Sequence, residues 1–164
     1  MINNYTFNET YKRFEPEENK CTYCDESLVE NMDDCYFVPL FVTNDRTNII
    51  IYRSVKFSKI EIGIPRCPSC KDIHENSIYK SRLITFCTVA SISIFLICFF
   101  TSIHPFVFVG TLLAVIFGGI YWSSKLTDRY VNNEGIYTLQ EGAETNEVVR
   151  ELVISGWSFT HPSA

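Results

Sequence analysis

Two cysteine pairs, Cys21-Thr22-Tyr23-Cys24 and Cys67-Pro68-Ser69-Cys70, are the residues in this chain whose type and spacing suit chemistry best. Two intervening residues let one tight turn present both thiolates to one ion, and two such turns complete a tetrahedral site of four sulfurs. Two other residues compete as alternate ligands. Cys35 lies between the pairs, but a single cysteine opening an apolar stretch is more simply buried. His74 follows Cys70 by one helical turn and reads more simply as a neighbour of the site, on the helix leading to Lys80 and Arg82. The rival chemistry is thiol–disulfide exchange, which needs a helix N-terminus beneath one thiol and usually an extracytoplasmic face.

The elements between the pairs are of β type. Cys35-Tyr36-Phe37-Val38 leads into Pro39-Leu40-Phe41-Val42, the expected turn is Thr43-Asn44-Asp45-Arg46, and a β-branched run follows at Ile49-Ile50-Ile51-Tyr52. Val55 and Phe57 alternate with polar neighbours, then Ile60, Ile62 and Ile64 alternate with the opposite parity. That switch predicts a bulge or turn near Ser58-Lys59. Pro65 removes a backbone donor where the sheet should end. The expectation is three or four antiparallel strands with the metal at one end.

Spacing and pattern from about Asn19 to His74 resemble the zinc-ribbon class, in which two CxxC knuckles clamp one ion beside a small sheet. The resemblance implies one structural Zn2+ held by Cys21, Cys24, Cys67 and Cys70. The 42 residues between the pairs exceed compact ribbon spacing, so extra strands must sit between the knuckles. A crossed two-zinc RING site is excluded: it needs eight ligands, and the segment offers six at most even with Cys35 and His74 counted.

From Leu83 to Ser124 the chain runs 42 residues without Lys, Arg, Asp or Glu, broken only by Thr101-Ser102-Ile103-His104-Pro105. One membrane span needs about 20 apolar residues, so the run predicts two spans, about 83–103 and 106–122, joined by a tight turn. The first 20 residues are polar, with Glu9, Glu15, Glu17 and Glu18, so no cleavable signal is read and the first span is expected to direct insertion. Arg66, Lys71, Lys80 and Arg82 precede the spans, Lys125 and Arg129 follow them, and the turn carries no basic residue. Both termini are therefore expected on the cytoplasmic side. Tyr121 and Trp122 suit the headgroup level. Gly110, Ala114 and Gly118 form a small-residue strip on the second span, matched by Cys87, Ser91 and Cys98 on the first. Packing of the two strips inside one hairpin is the simpler expectation, with self-association as the alternative. Ionisable residues are absent from the spans, which leaves a transport path little to work with.

Beyond the membrane, Asn132-Asn133-Glu134-Gly135 reads as a turn and Ile136-Tyr137-Thr138-Leu139 as a short extended piece. Thr145 is expected to cap a helix through Ser155, with Gly156 as its left-handed stop. Val148, Val149, Leu152 and Ile154, followed by Trp157, Phe159 and Pro162, make an apolar surface best docked on the chain's own metal domain. A net charge of −5 without a basic, aromatic-interleaved cluster excludes a nucleic-acid surface. His74, His104 and His161 are dispersed, Asp33-Asp34 reads as a solvated pair, and phosphate loops and nucleophile elbows are missing, so catalysis finds no support.

Together these readings predict a membrane α-helical hairpin plus a small, mainly β zinc-ribbon-like cytoplasmic domain and a short C-terminal helix. Residues 1–18 are a polar segment, 19–76 the metal domain, 77–124 the hairpin, and 125–164 a tail with its helix at about 146–155. The expected role is a non-enzymatic interaction or assembly module of the lipid bilayer. A protein partner, or self-association through Gly110, Ala114 and Gly118, is expected. The alternatives are a redox- or metal-responsive sensor and a subunit of an oligomeric pore.

Overall fold

The computed structural model describes residues 4–49, 52–99 and 105–163. They fall into two units, one formed by residues 1–71 with 137–164 and the other by residues 72–136.

In the first unit, strands β1 (Tyr5–Asn8) and β2 (Arg13–Pro16) form an antiparallel hairpin. The Asn8 side chain turns it by accepting from the Thr10 and Tyr11 N–H groups, and Lys12 takes a left-handed φ of 52°. The long strands β3 (Tyr36–Ile49) and β4 (Tyr52–Ile64) pair antiparallel, and β2 joins β4 in parallel at Phe14 and Ile62. The sheet order is β1-β2-β4-β3. The polar N-terminal segment thus supplies two strands, and the sheet is mixed rather than wholly antiparallel. Polarity concealed this because Arg13 lies over the Phe37 ring at 3.9 Å and pairs with Glu15, so its charge is held at the sheet face.

The expected turn at Thr43-Asn44-Asp45-Arg46 is a bulge inside β3: Thr43 faces Phe57, Asp45 faces Lys56, and Asn44 is the extra residue. β4 runs unbroken through Ser58 and Lys59, where the bulge was expected. The parity switch has another cause. Successive strand residues face opposite sides, so Phe41 and Phe57 share one face while Leu40, Ile60, Ile62 and Ile64 share the other. Both faces are covered. Leu40, Ile62 and Ile64 are fully buried, and on the other side the His161 ring packs against Phe41 and Phe57 at 5.1 and 4.5 Å.

After the hairpin, α1 (Pro68–Phe99) and α2 (Pro105–Asn133) are long helices. Both start on proline, whose missing N–H costs nothing in the first turn. The expected turn residue His104 lies outside the described residues. At 32 residues α1 is about 48 Å long at 1.5 Å per residue. Both helices are long and apolar enough to cross a membrane, and only 6% and 0% of their most apolar windows are buried. In this second unit the Ser81 hydroxyl donates to the Ser123 carbonyl, and Gly119 faces Val89 and Thr85 so closely that a Cβ there would meet the Val89 side chain. Gly110 and Gly118 have nothing facing them, and Ala114, Cys87, Ser91 and Cys98 are exposed, so the two small-residue strips do not pack together. Gly119 is the residue that lacks a side chain where the β-branched Val89 needs space. Ser91 and Thr88 return their hydroxyls to their own helix, as expected of polar residues in an apolar span.

The tail rejoins the first unit. Thr138 has extended backbone, φ −65° and ψ 163°, and caps α3 (Leu139–Thr145) in a reciprocal capping box with Glu141. The Thr138 N–H and hydroxyl both donate to the Glu141 carboxylate and hold it below its usual range. Helix α4 (Glu147–Ile154) is capped by Asn146, not Thr145, whose hydroxyl is committed to the Glu141 carbonyl. Gly156 has the expected left-handed φ, at 103°. Ser158 then exchanges both backbone hydrogen bonds with Phe41, each 2.8 Å.

The tail also lies against the first cysteine pair, because Gly142 faces the buried Tyr23 ring so closely that a Cβ there would enter it. Gly142→Ala is expected to cost about 1–3 kcal/mol, the usual range for overpacking. A lowered thermal midpoint of the full-length protein, followed by circular dichroism in micelles, checks it; an unchanged midpoint refutes the contact.

Candidate metal centre

The first cysteine pair sits on a small reversal of the chain. Val29 N–H donates to the Asn19 carbonyl and Cys21 N–H to that of Ser27, forming a short ladder around the turn. Asp25 N–H closes on the Cys21 carbonyl, with Asp25 itself at a left-handed φ of 57°. Aspartate tolerates that conformation better than most side chains. The turn also aims backbone donors inward. The N–H groups of Glu26 and Ser27 point at the Cys24 sulfur, a common way to stabilise a thiolate.

The second pair is delivered differently from the expected second knuckle. Cys67 directly precedes α1 and Cys70 stands in its first turn, where free N–H groups and the helix dipole favour negative charge. Lys71 N–H reaches the Cys67 carbonyl at 3.0 Å and starts the helical ladder. Strand β4 brings the chain there, and Thr22 N–H donates to the Pro65 carbonyl at 3.0 Å, which ties the two cysteine-bearing segments side by side.

These elements bring Cys21, Cys24, Cys67 and Cys70 together, with all four sulfurs within 4.8 Å of one another. Cys21 and Cys70 are 3.9 Å apart, as are Cys24 and Cys67. Such gaps are far beyond a disulfide bond of about 2.05 Å. Cys67 N–H also donates to the Cys21 sulfur at 3.3 Å. Cys21, Cys67 and Cys70 are buried, and Cys24 is partly exposed.

Charge decides what this cluster can hold. Burial pushes the Cys21 and Cys70 thiols up, and Cys70 is raised further by its sulfur neighbours. Burial acts on Cys24 in the same sense, but the Glu26 and Ser27 N–H groups outweigh it and bring the thiol down to about 7. Gathered thiolates without a cation repel one another, whereas a bound cation favours their ionisation. The donor set is soft, closed and tetrahedral in number, which suits a metal ion bound for structure.

The alternates stand apart. Cys35 is buried before β3 with its sulfur 3.7 Å from the Met32 sulfur, and His74 is buried on α1; neither belongs to the cluster. Asp34 corrects the reading of a solvated acidic pair. It is buried at the end of a 3-10 turn (Met32–Asp34), paired with Lys71 at 2.8 Å, and its carbonyl accepts from Arg66 Nε at 2.9 Å. Arg66 and Lys71 flank the second cysteine pair, so the loop before β3 is fastened to the segment that carries two of the clustered cysteines. Sequence reading missed this contact, although basic residues immediately on either side of a CxxC pair were visible. It missed Tyr23 as well: the residue inside the first pair is 1% exposed, and its carbonyl accepts from Tyr137 N–H at 3.2 Å.

Compared with models of known protein families, with curated proteins and with solved structures, the chain matches none.

Since burial keeps the Cys21 and Cys70 thiols protonated until a cation arrives, metal uptake must release protons. The apparent affinity is expected to fall as pH is lowered, in a cobalt(II) titration followed by thiolate charge-transfer absorbance. Serine at Cys21, Cys24, Cys67 or Cys70 is expected to abolish the tetrathiolate spectrum, and Cys35→Ser to leave it intact. Loss of the spectrum in Cys35→Ser would show that the ligand set is wrong.

Proposed function

We propose that this chain is an integral membrane protein whose metal domain holds one structural zinc ion and serves, without catalysis, as an interaction or assembly module. The sulfur geometry carries the reading. Zinc–thiolate bonds of about 2.3 Å in a tetrahedron place sulfurs about 3.8 Å apart, and the two measured pairs are 3.9 Å apart. A site with four protein ligands leaves no position for an activated water, which supports structure over hydrolysis. A reducing compartment favours CxxC pairs as metal ligands over disulfides.

The membrane assignment draws on two features. The apolar windows of α1 and α2 are almost entirely unburied, unlike core helices of a soluble fold. Segments on both sides of the helix pair also fold into one unit, with Ser158 bonded to Phe41 and Tyr137 to Tyr23. A chain whose flanks fold together crosses a bilayer an even number of times. Positive charge on those flanks supports a cytoplasmic domain and cytoplasmic termini.

A second reading, a redox-responsive site, draws on the partial exposure of Cys24, whose sulfur is more accessible to oxidants than its three buried partners. Zinc release from intact membranes by mild oxidant supports it; retention favours a purely structural site.

Zinc analysis of the purified protein is expected to give one ion per chain, and chelation to unfold the metal domain cooperatively. Because Tyr23 lies inside a ligand pair and holds the tail, chelation should also open residues 137–163 to proteolysis while the membrane helices stay protected. A metal-free protein with an equally protected tail would defeat the structural role of zinc.

A further inference from the structure

The helix pair contains a cavity of about 580 Å³ whose wall changes character along its length. Phe86, Val89, Ile116 and Ile120 line the part that belongs to the apolar run, while Arg82 and Asp128 stand at its polar end. Arg82 immediately precedes the uncharged run on α1, and Asp128 follows it by one turn on α2. Helical side chains lean toward their own N-terminus. In an antiparallel pair this sends Arg82 out of the apolar layer and Asp128 toward it, so the two charges converge on the same level. They form no ion pair with each other, and no salt bridge to either is found among the described residues. The hydroxyl-bearing Ser123, Ser124 and Thr127 line the same cavity. The Thr85 hydroxyl, in the same wall, is buried and without a hydrogen-bond partner.

A cationic and an anionic group held separately above an apolar slot complement one kind of molecule in particular. We infer that the cavity binds a single phospholipid with a primary-amine headgroup, its phosphate on the Arg82 guanidinium, its ammonium on the Asp128 carboxylate, and an acyl chain along Phe86, Val89, Ile116 and Ile120. The guanidinium fork suits phosphate oxygens, and the carboxylate selects a headgroup with N–H donors over a quaternary or uncharged one. A lipid carbonyl entering the slot also meets the unsatisfied Thr85 hydroxyl. Gly119 makes room for this arrangement, since it lines the same cavity and brings the helices together at Val89. This inference rests on the proposal that α1 and α2 span a membrane.

The test uses the full-length protein in nanodiscs of phosphatidylcholine doped equally with phosphatidylethanolamine and phosphatidylglycerol, followed by native mass spectrometry of retained lipids. Phosphatidylethanolamine is expected to be retained over the other two by about tenfold, on the order of one charge-assisted hydrogen bond. Asp128→Asn should erase the preference, Arg82→Gln should lower retention of all three lipids together, and Asp128→Glu should keep most of the preference, with unchanged helical circular dichroism in all three. Equal retention of the three lipids, a preference for phosphatidylglycerol, or a preference that survives Asp128→Asn overturns the inference. Quenching of Trp122 by brominated lipid, in a Trp157→Phe background, tests the membrane reading separately. Quenching without lipid preference removes this inference alone, and absence of quenching removes both.

Discussion

Bringing four thiols from two distant segments into a space 4.8 Å across is the constraint on which the metal domain depends. Sulfurs packed that closely are stable as thiolates only around a cation, so a filled site would draw the Cys21–Cys24 turn onto the start of α1. Much follows from that closure. Thr22 bonds to Pro65, Arg66 and Lys71 fasten the loop that carries Asp34, and Tyr23 becomes a wall against which the tail packs. Among the described residues of this unit, the buried apolar side chains other than the four clustered cysteines are few: Tyr23, Cys35, Val38, Leu40, Phe41, Ile62, Ile64, Ala143 and Val149. A core that small holds a domain only marginally, and a metal is one of the few ways to supplement it.

The same closure explains why the tail belongs with the segment preceding the helices. Residues 137–163 contribute α3, α4 and the Ser158 bridge to a unit otherwise made from the first 71 residues. The two helices between them are apolar outward, so the chain leaves the unit, makes a long excursion with little buried surface, and returns. On the membrane reading, that return is what makes a two-helix anchor compatible with one folded domain, since a single crossing would separate Tyr23 from Gly142.

What the sequence revealed and what it hid separate along a physical line. The four clustered cysteines and the apolar helices were legible because each rests on local pattern: a two-residue thiol spacing, or a run without charge. Contacts closed by long-range partners were not. Arg13 looked like part of a polar leader until Phe37 came beneath it, and Asp34 looked solvated until Lys71 reached it across the fold. The parity switch in β4 was visible, but its cause was a second cover on the opposite sheet face, supplied by His161 from the far end of the chain. Likewise Gly110, Ala114 and Gly118 have the more regular spacing, yet Gly119 makes the contact, a choice of helix face that spacing alone does not encode.

Delivery of the second pair by a helix rather than by a knuckle changes what the metal would stabilise. In a two-knuckle ribbon the ion joins loops at the end of a sheet, and each ligand pair belongs to a local turn. Here Cys70 is part of α1, and that helix runs without interruption to Phe99. Ligation would therefore fix the first turn of a helix whose later turns carry the apolar run. Helix nucleation is the costly step, and a metal-bound pair at the N-terminus would supply a nucleus for α1.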